Sequence, residues 1–210
     1  TGVLDVPTIL AHVCGATPAD IRLMEQYPVG IAHAVKTYLK LGHPTAPIVE
    51  FAAAGLPVGL ASDGAVSNST MNLWEPLRLM ALTQKERTGI GEAMPIAQAL
   101  AIATHGSARV YGQPDELGAV AAGYLADLIL IDLNGTHHQP LHNLPMSLVY
   151  NLQPADVQTV IIDGQVVNDL PPVKRGISMV FQSYALYPHM SVYENIAFPL
   201  RVARMAQPEE

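Results

Sequence analysis

Residues 56–64 read LPVGLASDG. The run Leu56–Ala61 is apolar and short, as a strand buried on both faces would be. It carries Ser62, Asp63 and Gly64 to its end. Two earlier runs have the same form. PTILAH (7–12) ends in His12, and VGIAH (29–33) ends in His33. Between and after them lie amphipathic segments at 17–26, 45–55, 72–87 and 95–104. Thr17 is placed to cap the first of these, with Pro18 at its opening position, and Gly55 is placed to close the second. Strand and helix alternate, which predicts an α/β fold with a parallel sheet covered by helices. In parallel barrels, chemistry gathers at the C-terminal strand ends. His, His and Asp at three successive ends are therefore candidate site residues. Imidazole nitrogen and carboxylate oxygen are also ligands for Zn²⁺ and related ions.

The texture changes past Gly112. Residues 117–134 predict two short strands around Ala122-Gly123, and 157–167 a hairpin turning at Asp163-Gly164. GTHHQPLHN (135–143) reads as a surface connector, and Cys14 as a small buried residue. Near Asp169 the texture changes again. Residues 171–210 hold two of the three Phe and fit neither earlier rhythm. The expected domains are 1–112, 113–168 and 169–210.

Composition excludes several classes. The 210 residues carry a formal charge of −7, with Lys and Arg scattered, which argues against nucleic acid as a partner. No apolar run approaches the length of a membrane-spanning helix, so no membrane contact is expected for the main part. The opening TGVLDVPTIL has no basic n-region of a signal peptide. One cysteine permits no intrachain disulfide, which fits a cytoplasmic location. The absent initiator Met and the early first strand are expected of a piece of a longer chain.

Six ordered blocks carry a resemblance: AHVC (11–14), AHAVKTYLKL (32–41), ASDGAVSNS (61–69), LRLMALTQK (77–85), ATHGSARVYG (103–112) and LGAVAAGYLADLILIDL (117–133). Together they resemble the C-terminal part of the amidohydrolase superfamily, in the branch of S-adenosylhomocysteine/methylthioadenosine deaminases and chlorohydrolases. The resemblance implies a partial (β/α)8 TIM-type barrel, strands 6–8 with their helices, plus part of a small β-sandwich accessory domain. It implies a metal-dependent hydrolase of carbon–nitrogen bonds, most like a deaminase of adenine-type nucleosides. The cofactor would be Zn²⁺ or another divalent metal such as Fe²⁺. The partner would be a purine nucleoside or similar heterocyclic amine, and a homo-oligomer would be compatible.

By the same resemblance, Asp63 would be metal ligand and general base. His12 would polarise the attacking water or the substrate, and the 51-residue interval from His12 to Asp63 suits the branch. His33 would line the substrate pocket, and Ser62, Ser67 and Asn68 would shape the loop around Asp63. The family's His-Asn-Pro is His33-Ala34-Val35 here. Its His-x-His pair and strand-5 His and Glu would lie upstream of Thr1, so the isolated chain is expected to be inactive and poorly folded or associated.

The tail resembles a different family. RGISMVFQSYALYPHMSVYENIAFPL (175–200) is similar to the Q-loop region of the ATP-binding subunits of sugar-importing ABC transporters. That resemblance implies a nucleotide-sensing role for Gln182 and an alternative identity as part of a transporter ATPase. The chain holds no phosphate loop of the form G-x-x-x-x-G-K-[ST] to cradle a nucleotide. The two resemblances together read as a chimera joined near residue 169.

Overall fold

Thr17 opens the first helix as its residue type predicts. Its hydroxyl accepts from the Asp20 amide, and the Asp20 carboxylate accepts from the Thr17 amide at 2.8 Å. This reciprocal cap satisfies two otherwise orphaned donors. The computed structural model describes residues 2–171, 174, 189–191, 193–195 and 197. The chain forms two compact units, Thr1–Asp169 and Leu170–Glu210.

In the first unit three strands lie parallel in chain order: β1 (Thr8–Ala11), β2 (Val29–His33) and β3 (Val58–Leu60). Each is followed by helix: α1 (Pro18–Met24), then α2 (Val35–Leu41) and α3 (Ile48–Ala53), then α4 (Ala65–Asn68) and α5 (Trp74–Thr88). This is the unit from which parallel barrels are built, in the expected order. β2, paired on both edges, has an almost wholly buried run, and β3 has no exposed residue. β1 alternates half-buried and exposed residues, as an edge strand does. The core lies between the sheet and the helices, around Ile31, Val35, Tyr38, Ile48, Phe51 and Met80.

α5 meets that core through Leu77, Met80, Ala81 and Gln84, the i, i+3, i+4, i+7 stripe of an amphipathic helix. α6 (Ile96–Ala101) continues through a wide turn at Ile102–Gly106 into α7 (Ser107–Val110). The Ser107 hydroxyl accepts from the Leu60 amide at 3.1 Å and donates to the Ile102 carbonyl at 3.0 Å, which ties α7 to β3.

Among the helices that go beyond the sequence reading, two show how they start. α2 begins at Ala34, whose side chain cannot cap; the Tyr38 hydroxyl takes the Ala34 amide instead, at 2.8 Å. Without a capping residue the helix carries no start signal. The other is α8 (Leu144–Tyr150), capped by the Asn143 side chain on the Met146 amide at 2.9 Å.

The expected pair of strands at 117–134 is corrected. Only β4 (Leu128–Ile131) forms. Gly118 has φ +87°, and a Cβ there would stand 2.7 Å from the His105 Cα, so residue 118 turns against the helix above it and leaves no extended run. The hairpin is present as β5 (Val157–Ile162) and β6 (Gln165–Val166), with Asp163 and Gly164 both at positive φ. β4, β5 and β6 form an antiparallel sheet.

No compact boundary falls at residue 112. Val149 of α8 belongs to the main core, and the Arg78 guanidinium donates to the Leu152 carbonyl at 2.7 Å. In the second unit, Ser191 and Glu194 cap one another around a helical turn. Among the described residues no helix is long and apolar enough to cross a membrane.

Candidate functional site

β1 and β3 end on the same rim of the sheet, and each ends in an unusual backbone. His12 follows β1 with φ +72° and Val13 with φ +50°; Asp63 follows β3 with φ +60°. Left-handed conformations are uncommon outside glycine, and for a β-branched residue such as Val13 they are costly. Such strain persists only where surrounding structure imposes it, and it gathers at functional sites.

A hollow of about 360 Å³ opens between these turns, lined by His12, Cys14, Thr37, Tyr38, Leu41, His43, Asp63 and Ser67. The Asp63 carboxylate accepts from the Gly64 amide at 2.7 Å and the Ser67 hydroxyl at 3.1 Å. Burial pushes its pKa up. The Gly64 amide and the Ser67 hydroxyl, with Thr37 and His12 on the same side, outweigh that and hold it below the ordinary carboxylate range. Asp63 is thus anionic at neutral pH. Tyr38 stands at the back of the hollow. Its ring lies edge-on to His12 at 5.6 Å, and its hydroxyl reaches the His12 carbonyl at 3.4 Å. Burial raises the phenol pKa, so it stays protonated. Burial also raises the Cys14 thiol, which leaves it a poor nucleophile.

Other expected site residues sit around this centre. The Ser62 hydroxyl turns back to the Asp63 carbonyl at 3.0 Å. Asn68 is buried and donates to the Thr70 carbonyl at 2.5 Å, closing the loop after α4. His33 departs from expectation. It has no exposed surface, packs on the Tyr38 ring at 5.4 Å, and both its ring nitrogens lack partners. Its side chain points to the helices, not the hollow, because it shares the strand face of Ile31. Burial pushes its pKa down to about 3. Gln182 lies outside the described residues.

Thr37, Tyr38 and His43 were not legible as site residues. Their place depends on α2, which carries no start signal.

The 135–143 loop is also corrected. His142 is exposed, but His138 is fully buried. Its Nε2 lies 3.1 Å from Asp156 Oδ2, and His137 Nε2 lies 2.9 Å from the same oxygen. Among the described residues this is the group of three or more side chains gathered closely enough to hold a metal ion. Asp63, the expected metal ligand, belongs to no such group among the described residues. A catalytic zinc site normally takes three from the protein.

The Amidohydrolase family model matches residues 1–167. A 5-methylthioadenosine/S-adenosylhomocysteine deaminase of Desulforudis audaxviator (strain MP104C) is 41% identical over 167 residues, which are 80% of this chain and 39% of that protein. The protein of the same name from Pelotomaculum thermopropionicum is 42% identical over 166 residues, 79% of this chain and 38% of the relative. The chain therefore spans about two fifths of these relatives. Among solved structures, an adenosine deaminase from Xanthomonas campestris with bound zinc superposes at TM-score 0.73 and 30% identity, over 75% of this chain and 36% of that one. The zinc complex of an atrazine chlorohydrolase from Arthrobacter aurescens TC1 superposes at 0.71 and 32%, over 76% and 35%. The order of strands, the matched residues and these likenesses agree: the chain belongs to the amidohydrolase family.

Proposed function

We propose that residues 1–168 supply the strand 6–8 side of a metal-dependent deaminase acting on an adenine-type nucleoside. The observation that carries this reading is the pairing of His12 and Asp63, both in left-handed turns at parallel strand ends, across one hollow. Asp63 is held anionic at its rim. It is placed to accept a proton from a water attacking the amino-bearing ring carbon, and that proton then goes to the leaving amine, released as ammonia. His12 would donate to the developing charge beside it. Ser67 and the Gly64 amide keep the carboxylate aimed. A divalent metal, Zn²⁺ or Fe²⁺, bound through Asp63 would acidify the water. Tyr38 positions the His12 turn through its hydroxyl. Ser62 and Asn68 act as supports of the loop, and His33 as a support of Tyr38 in place of a substrate contact. A cytoplasmic location and a small-molecule substrate belong to this reading.

The test is a segment exchange. Residues 1–168 would replace the aligned stretch of the Desulforudis audaxviator deaminase, and ammonia release from 5′-methylthioadenosine would be followed. Turnover that falls by about 10³-fold or more in Asp63→Asn supports the reading. A folded exchange protein that is inactive, or one indifferent to Asp63→Asn, overturns it.

For residues 170–210 we propose an origin outside this family. The family match ends at residue 167, and the compact unit ends at Asp169. The wording of 175–200 supports the Q-loop of a transporter ATPase as its source, with Gln182 as the nucleotide-sensing position. Genomic sequence across residue 169 from independent isolates tests this. A joint found in every isolate supports a natural fusion; an uninterrupted amidohydrolase frame in its place overturns the chimera.

A further inference from the structure

We infer that His137, His138 and Asp156 form a second metal site, distinct in every ligand from the Asp63 rim and suited to Zn²⁺ or a similar borderline ion. Three chain segments converge here. A short turn, Thr136–His138, carries both imidazoles. Gly135 permits it, since a Cβ there would meet the His137 ring at 2.5 Å. A second turn, Pro154–Asp156, presents the carboxylate, with Asp156 Oδ2 fixed by the Gln153 amide at 2.8 Å. The Asp156 carbonyl takes the Asp132 amide at 2.8 Å, which anchors the turn beside β4.

Three donors thus converge on one carboxylate oxygen, two of them imidazole nitrogens at 2.9 and 3.1 Å. With metal–ligand bonds of about 2.0 Å, a tetrahedral site has ligand atoms about 3.3 Å apart. The two imidazole–carboxylate spacings need to open by only a few tenths of an ångström, and all three ligand atoms already lie within 4.8 Å of one another. Two imidazoles and a carboxylate favour Zn²⁺, Co²⁺ or Ni²⁺ over the oxygen-seeking Ca²⁺ and Mg²⁺. His138 is also oriented from behind, with Nδ1 2.7 Å from the Ser147 hydroxyl. That leaves Nε2 to the metal once the ring proton moves to Nδ1, where it donates to Ser147. Neutral imidazoles bind this way with no net proton loss. The His137 ring is one-third exposed, so the fourth position opens to water.

The experiment is equilibrium dialysis of the 210-residue chain against Zn²⁺, with Co²⁺ absorption as a second reading of coordination. The expected result is one equivalent that survives Asp63→Ala and is weakened roughly tenfold or more in His137→Ala, whose exposed ring can be removed without emptying the core. Ser147→Ala should weaken it by a similar order. Circular dichroism confirms that each variant folds. An unaltered equivalent in folded His137→Ala, or no equivalent that survives Asp63→Ala, overturns the site.

Discussion

At the scale of single residues, burial sets the chemistry more than residue type does. His33 has no exposed surface and no hydrogen-bond partner at either nitrogen, so it stays neutral down to about pH 3. In the unfolded chain the ring takes a proton near pH 6.5. Below that pH the unfolded state binds the extra proton and the native state does not, so stability falls as pH falls, by about 1.4 kcal/mol per unit, and levels off near the native pKa. Between pH 7.5 and 5 the wild-type chain should lose about 2 kcal/mol from this group. Urea unfolding at the two pH values checks it, and His33→Leu should flatten the difference. Asp63 is held in its charged form by its partners, yet the sign is the same: its pKa is also lowered on folding, so its contribution is present above the unfolded carboxylate pKa and is lost as pH falls. Removing the Ser67 hydroxyl should raise the Asp63 pKa. Carboxyl titration by NMR of wild type and Ser67→Ala reads that shift, and an unmoved midpoint would remove Ser67 from the account.

At the scale of elements, helices here borrow their caps. α3 has no capping side chain of its own, and Gln84 of α5 supplies one across 36 residues of sequence. Its Oε1 accepts from the Ile48 amide at 3.1 Å and its Nε2 donates to the Ala46 carbonyl at 3.0 Å. The side chain is wholly buried. Gln84→Leu keeps the bulk but strands buried backbone groups, so it should cost about 2–4 kcal/mol, read as a lower denaturant midpoint at unchanged slope. A loss under about 0.5 kcal/mol would mean that water or another group replaces the amide. The ion pairs that join α5 to its neighbours, Glu75 with Lys36 of α2 and Arg87 with Glu50 of α3, are partly exposed, and screening leaves each worth little.

At the scale of the whole molecule, one core joins the parallel sheet, α5, α6 and α8, and the antiparallel sheet belongs to the same compact unit. The texture change at residue 112 is therefore a change of layer within a unit, while the change near 169 is a change of unit. A chain ending at Asp169 should melt within about 3 °C of the 210-residue chain, because every core residue among the described ones precedes the cut. Differential scanning calorimetry of both chains checks it. A fall of 10 °C or more would show that the tail supports the first unit.

Much of the fold was legible because its signals are local. The three strand runs, the Thr17 cap, the α5 stripe and the Asp163-Gly164 turn each depend on residues a few positions apart. His12 and Asp63 were legible too, since strand ends can be counted along the chain. What lay outside that reach depends on distant pairs. Ala34 starts a helix only because the Tyr38 hydroxyl folds back on it. Gly118 forbids a strand only because His105 stands above it. His33 differs from His12 only by the face its strand turns to the helices, and His138 meets Asp156 only because two turns far apart in sequence come together. The sequence by itself determined the order of strands, the family and the strand-end pair His12 and Asp63. The tertiary structure alone decided which histidines are buried and which polar groups share a partner, because burial and pairing are properties of packed surfaces and not of neighbouring residues in the chain.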